Sequence, residues 1–200
     1  MRHHLARCGT ALLATLLAAG CGADPAPEKD GPGDYRAKDD ICTVLPYRLL
    51  VDPLGDPFGT DEPSTRDSGG APAAKCVASF DPQSASPYRH TVTTVDVIFL
   101  PDTALARKLH TFDRTENQPK YAIGGAVTEV KGVGREAFRF RNTAGSDTGP
   151  MFELVTRDSN VQMTLTFLVD FREPPDDKAA DVVLRKMEEF ARASLTALKG

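Results

Sequence analysis

The sequence predicts an α+β fold: a single domain on a mainly antiparallel sheet of five or six strands, helices packed mainly on one face, and a long C-terminal amphipathic helix. Three observations predict it. Residues 160–171 set Val161, Met163, Leu165, Phe167, Val169 and Phe171 on one face and Asn160, Gln162, Thr164, Thr166 and Asp170 on the other, with Leu168 the exception. Period-two alternation of that length marks an antiparallel strand with one wetter face. Near the C-terminus, Val183, Leu184, Met187, Phe190, Ala191, Leu195 and Leu198 recur at helical spacing, while Arg185, Lys186, Glu188, Glu189, Arg192 and Lys199 take the opposite side. Between these and the start of the chain, strand and helix signals follow the order helix, strands, helix, strands, helix.

Taken in chain order, a short first helix is expected near residues 46–51 and an edge strand at 76–80. Residues 90–100 are rich in Val and Thr and stop at Pro101, which closes a strand. Asp102 opens a middle helix carrying Ala104, Leu105, Lys108 and Leu109. Strands at 126–130 and 136–141 flank Gly132-Val133-Gly134, and Phe138 and Phe140 alternate with Arg139 and Arg141. A strand at 151–156 joins the long one through Arg157-Asp158-Ser159-Asn160, a hairpin turn without the glycine that such turns favour. Pro174-Pro175 ends the sheet, and Asp176-Asp177 supplies a carboxylate-rich helix start.

Ahead of this domain lies a different kind of sequence. Arg2 and Arg7 precede an uncharged apolar run over residues 11–19, too short to span a bilayer, which takes about 20 apolar residues. It suits the core of an export signal, so residues 1–20 are read as a signal peptide. Ala18-Ala19-Gly20-Cys21 resembles the lipobox of bacterial lipoproteins, with Ala18 where Leu is usual and Leu17 one step back. The resemblance implies cleavage before Cys21 and a diacylglycerol on its sulfur. Residues 21–38 contain Pro25, Pro27, Pro32, Gly31 and Gly33 with little to bury, and read as a flexible tether. The folded domain is then residues 39–200, on the extracytoplasmic face of the cell membrane and lipid-anchored through Cys21.

The cysteine count bears on the fold. Cys8 leaves with the signal and Cys21 takes the lipid, so Cys42 and Cys76 remain in a compartment where disulfides persist. A bridge between them encloses a stretch of turns, Asp52-Pro53, Asp56-Pro57, Glu62-Pro63 and Ser68-Gly69-Gly70, and contributes roughly 4 kcal/mol on the chain-entropy model. The alternative is two separately buried thiols.

Several stretches resemble a family of small actinobacterial cell-envelope lipoproteins of unknown function. Asp40-Ile41-Cys42 is similar to its Asp-x-Cys opening, Leu45 and Leu49-Leu50 to the leucine-bearing segment after it, and Cys76 stands where its second cysteine is expected. Gly132-Val133-Gly134-Arg135-Glu136-Ala137 resembles its Gly-x-Gly-x-Glu-Ala step into a strand, and Arg157-Asp158-Ser159-Asn160-Val161 its Arg-Asp-Gly-Asn-Val hairpin, with Ser159 in place of Gly. A terminal amphipathic helix closes both. The aromatic residue often found after the family's second cysteine is absent, and the chain has no Trp. The resemblance implies location, disulfide and approximate fold, and no catalytic residues.

Chemistry-bearing motifs are sparse. A formal charge of −4, with no basic cluster, argues against nucleic acid as a partner. Asp67-Ser68-Gly69-Gly70 looks like a serine-protease nucleophile loop, but the only histidines before Ser68 are His3 and His4, inside the signal. His90 and His110 are far apart and the cysteines are engaged, so no metal and no cofactor is expected. Asp52, Asp56, Asp61 and Glu62 do not match the spacing of a calcium loop and read as a solvated acidic loop. Gly132-Val133-Gly134 lacks the third glycine and following helix of a dinucleotide loop. Arg139 and Arg141, sharing a strand face opposite Phe138 and Phe140, are the candidate contact for an anionic partner. The functional expectation is a non-enzymatic binding or interaction module at the cell envelope, meeting its partner through residues 52–75. The alternative is a small-ligand or lipid carrier with an apolar pocket between sheet and C-terminal helix.

Overall fold

The computed structural model describes residues 28–60, 64–81, 86–123, 126–142 and 149–199. Two short helices, α1 (Ile41–Val44) and α2 (Arg48–Leu54), lead into strands β1 (Asp56–Thr60), β2 (Ser64–Ser68), β3 (Ala71–Asp81) and β4 (Tyr88–Phe99). Helix α3 (Thr103–Phe112) continues into a π-helical turn (Asp113–Asn117) and a 3-10 turn (Gln118–Lys120). Strands β5 (Thr128–Val130), β6 (Glu136–Asn142), β7 (Met151–Asp158) and β8 (Val161–Phe171) follow, and α4 (Asp177–Lys199) closes the chain.

The strands form one open antiparallel sheet in the order β1-β3-β4-β8-β7-β6-β5, with β2 also on β3. β1 pairs with the 78–81 part of β3 and β2 with its 71–75 part, so the two share one edge. The six expected strands are present, and β1 and β2 are additions within residues 52–75, where the turn signals point to loop. Edge pairing uses backbone groups and asks for no apolar alternation, so these strands carry little sequence signal. The chain leaves β4, crosses over α3 to the far edge, and returns through β5, β6 and β7 until β8 seats beside β4.

The main core lies on one face of the sheet. Cys76, Ala78 and Phe80 of β3, Val95 and Val97 of β4, Met163, Leu165 and Phe167 of β8, and Phe152 and Leu154 of β7 meet α1, α2 and α4 there. The stripe on α4 comprises Val183, Met187, Phe190, Ala191, Leu195 and Leu198, with the Phe190 ring edge-on to Phe167 at 6.5 Å. Each such apolar side chain taken fully out of water contributes about 1.5–3 kcal/mol. The expected carboxylate caps are made: the Ala179 N–H donates to Asp176 at 2.7 Å, and the Leu105 N–H donates to Asp102 at 2.7 Å.

Helix α3 is the exception to helices on one face. Its Ala106 packs with Ala71 and Leu100, and its His110 ring lies 5.1 Å from Phe138, on the side of the sheet turned away from α4. Phe138, Phe140, Val155 and Ala122 form a second, smaller apolar cluster on that side. Cys42 and Cys76 are bridged, with Cα atoms 5.5 Å apart, which ties α1 to the middle of β3.

Candidate functional site

The most elaborately built polar region lies at the end of the sheet where β4 stops, β7 turns into β8 and α4 finishes. Residues 28–36 run across it as a strap. Residues 28–38 fall within the segment expected to be a flexible tether, but they are bound to the domain here. Composition gives no hint of this, because the strap is held by hydrogen bonds and ion pairs and buries only one large ring. That ring is Tyr35, 1% exposed, and it is the sole aromatic residue among the glycines, prolines and charges before Asp39. An isolated aromatic in such a stretch is the available signal.

The β7–β8 turn is the receptor for the strap. Ser159 takes a positive φ of 53°, a left-handed conformation uncommon for residues other than Gly. Its hydroxyl accepts from the Asp34 N–H at 3.0 Å. The Asn160 side chain accepts from the Tyr35 N–H at 2.9 Å, and donates to the Tyr35 carbonyl at 3.2 Å and the Leu100 carbonyl at 2.9 Å. One amide thus ties the strap, the end of β4 and the turn together, all buried. Gly33 lies so close that a Cβ there would overlap the Asn160 side-chain amide. The glycine expected to give flexibility is required for contact.

Ion pairs extend the grip. Arg157 is 3% exposed; its guanidinium donates to Glu28 at 2.5 Å and to Glu136 at 2.9 Å. Arg135 reaches the other oxygen of Glu28 at 3.4 Å. A buried cation of this kind is costly unless paired, so Arg157 needs its carboxylates. The strap then passes α3: Gly31 and Thr103 exchange hydrogen bonds, the Thr103 hydroxyl donates to the Lys29 carbonyl, and Arg107 pairs with Asp30 at 2.6 Å. Gly132-Val133-Gly134 serves as a tight turn, and at Gly134, with φ 58°, a Cβ would meet the Arg157 carbonyl at 2.6 Å.

Beside the strap is a groove of about 290 Å3 lined by Tyr35, Gly134, Asp158, Arg192, Leu195 and Lys199, among others. The Tyr35 hydroxyl donates to Asp158 at 2.6 Å, and Lys199 donates to the same carboxylate oxygen at 3.1 Å while lying over the Tyr35 ring at 5.4 Å. Burial, reinforced by the Asp158 charge, pushes the Tyr35 phenol well above its ordinary range, so it acts as a fixed donor. Tyr35, Asp158 and Lys199 thereby fasten the strap to the end of α4.

The other sequence-derived candidates are dispersed. Cys21 lies outside the described residues. Arg139 and Arg141 do share a face, opposite Phe138 and Phe140, but it is the face toward α4. Arg139 donates to Glu188 of α4 at 2.5 Å, and the Arg141 guanidinium stacks over Phe152 at 5.4 Å from the ring centre. Asp61 and Glu62 lie outside the described residues, and Ser68 ends β2. Among the described residues, no group of three or more His, Cys, Asp or Glu is placed to hold a metal. His90 sits on β4 and His110 in the last turn of α3. His110 is 2% exposed, and burial pushes its pKa down to about 4, the charges of Glu136, Arg157, Asp113 and Arg114 partly offsetting one another. A second buried polar group carries no sequence signal: Glu153, on the same side of the sheet as α3, accepts from Asn142, and burial raises its pKa. No helix among the described residues is long and apolar enough to cross a membrane.

No family model, curated protein or solved structure matches the chain.

Proposed function

We propose that this protein is a lipid-anchored extracytoplasmic lipoprotein whose domain is a non-enzymatic interaction module at the cell envelope. The observation that carries the reading is the short distance along the chain from the lipobox-like cysteine to the first docked residue. Cys21 is followed by six residues and then by Glu28, which the domain grips through Arg157 and Arg135. A leader that ends in a lipidation site and passes directly into a buried ion pair is organised to present a rigid domain at a membrane. The resemblance to small actinobacterial envelope lipoproteins and the Cys42–Cys76 bridge favour the same compartment.

The sheet edge formed by β1 and β2 is the proposed contact surface. It lies within residues 52–75, and the disulfide secures the strand on which it rests. Edge strands offer unpaired backbone groups to an incoming extended chain. The carrier reading finds less support, because Phe167, Phe190, Met187 and Leu195 occupy the space between sheet and α4 where its pocket is required.

The anchor is tested by mass spectrometry of the N-terminal peptide of the mature protein, with Cys21→Ser as comparison. Acylated Cys21 and release of the variant into the medium are expected; an unmodified thiol on membrane-bound protein overturns the reading. For the contact surface, a photoreactive residue replaces Pro57 or Pro72, both exposed, in intact cells. A discrete crosslinked envelope partner is expected from these positions and not from Asp181 on the solvent side of α4. Equal capture from all three sites rules the edge out.

A further inference from the structure

Among the described residues, the large apolar side chains left exposed are Leu105, Phe112, Tyr121 and Ile123, 42–54% accessible, and all fall within one segment of 19 residues. Leu105 and Phe112 are seven apart on α3, two turns along one face of the helix. Tyr121 and Ile123 flank Ala122, which points into the cluster with Phe138, so both project away from the sheet. Lys108 and Lys120 stand exposed in the same segment, as do Glu116, four residues on from Phe112, and Arg114, which lies 3.7 Å from Glu129. Exposed apolar side chains with lysines close by in the same segment are what the interface of an anionic bilayer recognises.

The strap places this surface. Seven residue steps separate Cys21 from Glu28, so the anchor lies at most about 25 Å from Glu28 even fully extended. The strap next meets the first turns of α3, where Gly31 joins Thr103 and Asp30 joins Arg107. A ten-residue helix is about 15 Å long. Leu105 and Phe112 are thus within reach of the lipid surface that holds Cys21. Helix α4, on the opposite face of the sheet, turns the other way.

We propose that the α3 surface formed by Leu105, Lys108, Phe112, Lys120, Tyr121 and Ile123 lies on the anionic headgroup layer of the membrane. This fixes the domain with α3 toward the lipid and α4 toward the outside. The proposal rests on the reading of Cys21 as the anchor, but its test separates the two. Because the chain has no Trp, Phe112→Trp and Asp181→Trp each introduce a single indole fluorophore, at exposed positions on opposite sides of the sheet. The mature full-length variants are mixed with, or reconstituted into, vesicles of phosphatidylglycerol and brominated phosphatidylcholine. Acylation of Cys21 is read independently by mass.

The expected result is a blue-shifted emission from the Phe112→Trp protein, quenched several-fold more strongly than that of the Asp181→Trp protein. The difference should shrink in vesicles without phosphatidylglycerol and with Lys108→Glu and Lys120→Glu combined. Equal quenching of the two variants, on protein shown to be acylated, overturns the proposal and leaves the anchor standing. Should Cys21 prove unmodified, the anchor reading fails, and quenching of the Phe112→Trp protein by added vesicles still decides the surface. A blue shift of that variant that follows protein concentration without vesicles assigns the face to a second copy and also overturns the proposal.

Discussion

Helix α4 and the 28–36 strap lie against the same sheet and are held by opposite chemistry. The helix is seated by an apolar stripe, Val183, Met187, Phe190, Leu195 and Leu198, on the buried face of β7 and β8. The strap is seated by the Asn160 amide, the Ser159 hydroxyl and the carboxylate of Glu28 on Arg157. Apolar burial is non-directional and cumulative, so it belongs to the global stability of the fold. A polar strap at the end of a sheet makes few such contacts and is drawn from the low-stability part of the molecule, which opens locally before it unfolds globally.

The largest effect is expected at Phe190. Phe190→Ala empties a site with no solvent exposure facing Phe167, at a cost of about 4 kcal/mol. Urea denaturation should show a lower midpoint with an unchanged slope. A loss within about 0.5 kcal/mol, the range of surface changes, would mean that α4 is not the dominant cover of the sheet.

The second effect is on α3, which covers the other face. His110 carries a folded pKa of about 4 against an unperturbed 6.5, so the unfolded chain binds the extra proton first as pH falls. Stability should be fully retained above pH 6.5 and decline as pH falls to about 4, by on the order of 3 kcal/mol from this residue. His110→Phe keeps a ring against Phe138 and has no proton to gain. The difference in unfolding free energy between variant and parent, measured from pH 7 to pH 4, should therefore grow in favour of the variant. A constant difference would show that His110 is not buried neutral.

How far the two covers are legible in the sequence follows the same division. The α4 stripe and the β8 alternation can be read because apolar side chains at period 3.6 or 2 carry their own register. Six strands carry enough of that signal to be expected, whereas β1 and β2, which join β3 through backbone pairing, do not. Of the candidate site, the turns at Arg157-Asp158-Ser159-Asn160 and Gly132-Val133-Gly134 are legible, and Tyr35 stands out as an isolated aromatic, but their partners are not. That Arg139 finds Glu188, or Arg157 finds Glu28 129 positions away, depends on a partner brought up by the tertiary fold. Glycine misleads for a related reason. In a sequence it signals freedom, but Gly33 is required where the strap backbone touches Asn160.

Asn160 sharpens the comparison next. Asn160→Ala removes an acceptor from the Tyr35 N–H and a donor from the Tyr35 and Leu100 carbonyls, leaving buried backbone groups unpaired, at about 2 kcal/mol. The loss should concentrate in the strap. Hydrogen exchange at the Tyr35 amide is expected to speed up more than tenfold, since each 1.4 kcal/mol is about a factor of ten, while amides in the middle of β8 change little. Uniform acceleration across β8 would show that strap and core open together, and the distinction between the two covers would fall.

The smallest effect is expected at Glu28, and it isolates the charge from the hydrogen bonds. Glu28→Gln leaves an amide oxygen to accept from Arg157 but removes the negative charge shared by Arg157 and Arg135. Arg157 keeps Glu136, whose side chain is 44% exposed, so the guanidinium is not left unpaired and the cost should be about 1 kcal/mol. The effect should again be confined to the strap, in the exchange of backbone amides near Gly31 and Asp34. It should also persist at high salt, because a pair this buried is screened far less than one at the surface. If raising the ionic strength in the parent reproduces the effect of Glu28→Gln, the Glu28–Arg157 pair is behaving as a surface contact. The strap would then owe its place to Asn160 and Ser159 alone.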